Sequence, residues 1–130
     1  SRGLGDVYKR QNLRLEPAVK NFEYRNVVSN AGICLGLLSH NNRDLHTTRS
    51  LEVPAMGGLF CAELTSEHQL LYENGYEALF WTEASECAQL CSSMLRDRVK
   101  SDTLKAACTR RLLELGMGNE DICRQVVDSL

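Results

Sequence analysis

Apolar residues recur along this chain with two periods, and the alternation between them predicts its architecture. Tyr24, Val27, Val28 and Ala31 fall at helical spacing, so residues 17–30 are expected to contain an amphipathic helix. The run 33–38, ICLGLL, is apolar throughout, as in a parallel-sheet strand covered on both faces. Polar residues fill 39–46, and a short helix is expected over 47–56. Pro54 should kink or end it, because proline removes one helical hydrogen bond. Gly57 and Gly58 then break the chain before a second buried strand over 59–62. Thr65 or Ser66 can cap the next helix, with Ser66 and Gln69 at capping-box spacing, and Asn74-Gly75 closes it. Residues 78–81, ALFW, read as a third short strand.

Helices complete the pattern. Thr82 or Ser85 opens one that carries Cys87, Leu90, Cys91, Met94 and Leu95 on a single stripe. Leu104, Ala107, Cys108, Leu112 and Leu115 mark the next, which stops at Gly116. Asn119 can cap a last helix bearing Ile122, Cys123, Val126, Val127 and Leu130. Strands alternating with helices imply crossover connections and a parallel sheet. The expected fold class is α/β: a three-layer, Rossmann-like fragment with a short parallel sheet and C-terminal helices.

Composition narrows the function classes. The 130 residues suffice for one hydrophobic core, and a hydrophobic content of 43% with 25% charged residues is that of an ordinary globular protein. A net charge of -2 without Lys or Arg clusters gives no electrostatic footprint for nucleic acid or an anionic membrane. No run approaches the roughly 18 apolar residues of a membrane span, so the cytoplasm is the default location. The opening segment SRGLGDVYKRQ shares neither period and resembles foreign, adapter-derived sequence. Residues 1–11 are therefore set apart from a domain over 12–130, read as the C-terminal part of a longer protein whose N-terminal half lies upstream. The six cysteines form no C-x-x-C pair and have no histidine at zinc-finger spacing. They read as buried core thiols of a reducing compartment, with metal or redox roles as the alternative.

Candidate chemistry gathers in residues 43–68, RDLHTTRSLEVPAMGGLFCAELTSEH. Ligands of open α/β sheets sit beyond the carboxyl ends of the strands, and two of the segments that leave those ends fall here. Thr47, Thr48 and Ser50 offer hydroxyls, Arg49 a planar fork for phosphate, and Asp44 and Glu52 carboxylates for sugar hydroxyls. A helix start at this point adds unpaired N–H groups and partial positive charge, the elements of a phosphate site. The same residues also suit a purely structural role, as caps and as an Arg49–Glu52 ion pair one turn apart. His40 and His46 read as solvated loop residues, and Arg96, Arg98, Arg110 and Arg111 as solvated helix faces.

This stretch resembles the CgeB-type (spore-maturation) glycosyltransferase-like domain. That family reads roughly T-x-R-[ST]-[FL]-E-[IV]-P-A-x-G-G, then a strand, then R-T-x-E-H. Here Leu64 stands where the family has Arg. The resemblance implies the C-terminal Rossmann-like half of a GT-B glycosyltransferase, with a nucleotide-sugar donor as substrate and no metal or other cofactor. Asp44 and Glu52 keep an eight-residue spacing of two acids found in many retaining members, with Asp replacing the commoner Glu. By that likeness Asp44 and Arg49 are the catalytic candidates. Thr47, Thr48, Ser50, Glu52, Glu67 and His68 would bind the donor, with Glu67 and His68 matching the family's E-H pair. The acceptor, unknown in kind, would bind the upstream domain. A non-catalytic nucleotide-sugar-binding or maturation module of the same fold is the alternative.

Overall fold

The structure, a computed structural model, describes residues 17–19, 21–38, 45, 49–116 and 127–128. Its elements run α1 (Asn21–Asn30), β1 (Cys34–Gly36), α2 (Arg49–Ala55), β2 (Phe60–Glu63), α3 (Ser66–Leu71), β3 (Leu79–Trp81), α4 (Ala84–Arg96) and α5 (Arg98–Glu114). The strands form one parallel sheet in the order β1-β2-β3, with Cys34 opposite Phe60 and Cys61 opposite Leu79. The expected α/β class is present. Of the helix expected after Asn119, residues 127–128 are described; they are helical, and Val127, on the expected apolar stripe, is exposed.

Strand β2 sends alternate side chains to opposite faces of the sheet, and each face has its own core. Phe60 and Ala62 pack with Val28, Val53, Tyr72, Phe80 and Cys108 on one face. Leu59 and Cys61 pack with Leu79, Trp81, Met94 and Leu104 on the other. Helix α5 feeds both cores, through Cys108 and Leu104, and packs on α2 and α4. Val27 and Leu95 sit on the expected apolar stripes yet are exposed.

Strand β1 departs from the expectation of a strand covered on both sides. It lies at the sheet edge, and Leu35 and Leu37 are 45% and 68% exposed. An apolar run reports a preference for burial, and the described residues provide no cover for these two side chains. Gly36, by contrast, is closely covered. A Cβ there would stand 2.8 Å from Phe60 Cε1, so only glycine lets that ring lie against the strand.

Proline in α2 creates a local problem that the fold solves elsewhere. Pro54 has no N–H to donate to the Ser50 carbonyl one turn back. The Tyr72 hydroxyl donates to that carbonyl instead, at 2.6 Å. Burial pushes the Tyr72 phenol well above its ordinary pKa, which keeps it a donor. Pro54 does not stop the helix at once. The end comes at Gly57, which has φ 77°, and the Gly58 N–H returns to the Val53 carbonyl at 2.9 Å.

Helix α5 holds three other helices by their carboxyl ends. Lys105 Nζ donates to the Ala31 carbonyl just past α1, at 3.1 Å, and Thr109 Oγ1 to the Pro54 carbonyl of α2, at 2.7 Å. Arg111 Nε donates to the Leu71 carbonyl of α3, at 2.9 Å. Carbonyls in the last turn of a helix lack intrahelical partners, and these bonds supply donors to them; the Pro54 carbonyl also accepts from the Gly57 N–H at 3.1 Å. Arg111 is thus half-buried and engaged, not the solvated residue its sequence context suggests.

Candidate functional site

Helices α2 and α3 begin beyond the carboxyl ends of β1 and β2, and a buried polar contact ties their first turns together. Ser50 Oγ lies 2.8 Å from His68 Nε2. The other ring nitrogen, Nδ1, lies 2.6 Å from the Glu63 carbonyl at the end of β2. A carbonyl can only accept, so Nδ1 carries the proton and donates. In that tautomer Nε2 accepts from the Ser50 hydroxyl. The imidazole stacks on Phe80 with centroids 5.4 Å apart and planes 9° apart, while Phe60 meets it edge-on at 5.5 Å. Ser50 and His68 are both fully buried.

Thr65 adds a second tie. Its Oγ1 caps α3 by accepting from the His68 N–H at 3.0 Å and donates to the Leu45 carbonyl at 2.6 Å. The cap therefore pairs Thr65 with His68, not Ser66 with Gln69, and the hydroxyl also reaches the segment that follows β1. Glu63 contributes again through its carboxylate, which accepts from the Leu38 N–H at 3.5 Å.

Around this buried frame stand the more accessible groups. Arg49 is exposed at the start of α2 and, among the described residues, forms no ion pair with Glu52. Glu52 is half-buried, and its Oε2 accepts from the Tyr24 hydroxyl at 3.2 Å. Burial first, and the Glu52 carboxylate second, raise the Tyr24 pKa, so it too remains a donor. Glu67 is half-buried in the first turn of α3. Asp44, Thr47 and Thr48 lie outside the described residues. Helix α2 has seven residues, so its dipole is that of a short helix, and side chains must supply most of any anion binding here.

The structure thus joins Ser50 to His68 and sets Arg49, Glu52 and Glu67 on the same pair of helix starts. Among the described residues, Ser50 and His68 partner each other and the backbone and are fully buried. Sequence reasoning missed Tyr24, Glu63 and Tyr72. The i, i+3 spacing of Thr65 and His68 was a usable capping signal, whereas Tyr24 lies 28 residues from Glu52 and Tyr72 lies 22 from the Ser50 carbonyl it bonds. A separate surface cleft lies between Glu73, Tyr76, Arg110 and Arg111 and holds none of the predicted site residues.

The polar groups of this α/β domain gather beyond the carboxyl ends of two adjacent parallel strands, where open α/β sheets in general hold their ligands. The family follows from comparison. A family model described as glycosyl transferase-like matches residues 2–117, and the chain belongs to that family. No curated protein and no solved structure matches it. Among the described residues no helix is long and apolar enough to cross a membrane.

Proposed function

We propose that this chain is the nucleotide-sugar-binding domain of a GT-B-like glycosyltransferase, of the CgeB type, acting in the cytoplasm. The observation that carries the reading is the Ser50–His68 bond, which locks two helix starts side by side beyond β1 and β2. Membership of the glycosyl transferase-like family supports glycosyl transfer as the chemistry. Arg49 takes the diphosphate through its planar guanidinium, and Glu52, steadied by Tyr24, accepts from the ribose hydroxyls. Thr47 and Thr48 add hydroxyl donors, and Asp44 lies near the transferred sugar. Glu67 lines the same cleft, while Ser50 and His68 act as positioning residues.

Catalysis in this reading is electrostatic. As the glycosidic bond breaks, charge grows on the leaving diphosphate, and Arg49 with fixed donors stabilises it without a metal. The acceptor binds a second domain. The uncovered Leu35 and Leu37 on the edge strand suit the packing of further elements there. Calorimetric titration of the intact protein with a panel of nucleoside diphosphates tests the reading. At least one should bind, and Glu52→Ala should weaken it more than tenfold, since each charge-assisted bond contributes about 1.5–3 kcal/mol. Equal affinity in parent and variant removes Glu52 from the site.

A further inference from the structure

Three cysteines from distant parts of the sequence meet on the face of the sheet opposite His68. Cys61 is central in β2 and fully buried, and Cys87 and Cys91 sit one turn apart on α4, both half-buried. Residues i and i+4 of a helix share a face, so both helix thiols point toward the strand. The three sulfur atoms all lie within 4.8 Å of one another. With metal–sulfur bonds of about 2.3 Å, three sulfurs around one ion in a plane stand about 4 Å apart, so small side-chain rotations close the site.

We propose that Cys61, Cys87 and Cys91 form a three-thiolate site for one soft, low-coordinate metal ion, with Cu(I) as the ion of that class. Softness favours it, because thiolates select Cu(I) and zinc over hard cations. Coordination number then separates those two. Zinc completes a tetrahedron with a fourth ligand, and no histidine or carboxylate joins the three sulfurs among the described residues. The walls are apolar: Leu59, Leu79, Leu90 and Met94 belong to the same core. Binding is a simple exchange: three S–H protons leave as three sulfur–copper bonds form, and no electron moves. Free thiols are protonated at neutral pH and metal binding displaces those protons, so affinity must rise steeply with pH.

The test is an anaerobic competition for Cu(I) between the reduced, metal-free full chain and a chromogenic Cu(I) chelator. The parent and a Cys34→Ser control should each withdraw one Cu(I) per chain. Cys87→Ser and Cys91→Ser, at half-exposed positions that tolerate a hydroxyl, should each weaken binding by at least about tenfold, as should Cys61→Ala. The parent's affinity should fall by up to about a thousandfold per pH unit as three protons compete. X-ray absorption should show sulfur neighbours alone. Three results would each overturn the site: no uptake by the parent, undiminished binding by the Cys87→Ser/Cys91→Ser double variant, or an oxygen ligand on the bound ion.

Discussion

Replacing Tyr72 by Phe removes one oxygen atom and isolates the repair of the proline-interrupted helix. Tyr72 is 1% exposed, and its hydroxyl lies 2.6 Å from the Ser50 carbonyl. Phe keeps the ring and its edge contact with Phe60, centroids 6.1 Å apart, so packing changes little. The carbonyl is left without this donor in a buried place, which costs about 1–3 kcal/mol, or roughly a 5- to 150-fold rise in the unfolded fraction. The same change in a Pro54→Ala background should cost only about 0.5–1 kcal/mol, because the alanine restores the N–H that bonds the Ser50 carbonyl. Urea unfolding of the four proteins of this cycle measures the coupling. Equal costs in the two backgrounds would show that Tyr72 does not substitute for the missing amide of Pro54.

Other expectations concern the site frame and the core. Thr65→Ala loses the cap of α3 and the bond to Leu45, and should destabilise the chain by about 1 kcal/mol in thermal or urea unfolding, with Thr65→Ser recovering most of it. Burial pushes the Cys108 thiol from 9.0 up to about 12. A thiol is neutral when protonated, so the folded state then holds a proton that the unfolded state releases above pH 9. The stability from this burial is present below pH 9 and declines between pH 9 and 12. Unfolding midpoints across that range should fall for the parent and fall less for Cys108→Ala; parallel profiles would contradict the assignment.

Periodicity made the alternating helices and strands legible, because each element buries one face and the spacing of apolar residues records it. The strand positions came within one residue for β2 and β3. What the sequence could not show was pairing across distance. Cys87 and Cys91 read as core thiols of one helix stripe and Cys61 as a core thiol of a strand, since nothing along the chain reveals that β2 and α4 turn all three toward one point. Arg111 read as solvated because its partner, the Leu71 carbonyl, is a backbone group 40 residues away. In the candidate site, residue types and helix starts were visible. The burial of Ser50 and His68 was not, since a Ser and a His near a loop look alike whether they face a ligand or each other.

Amide chemical-shift mapping of the full chain during titration with a nucleoside diphosphate asks most directly whether this is the donor site. The largest shifts should fall on residues 49–52 and 65–68, and Arg49→Ala should abolish them at the same ligand concentration while leaving the rest of the spectrum in place. Shifts centred on Glu73, Tyr76, Arg110 and Arg111, or none at any residue at millimolar ligand, would contradict a nucleotide-sugar site at the starts of α2 and α3.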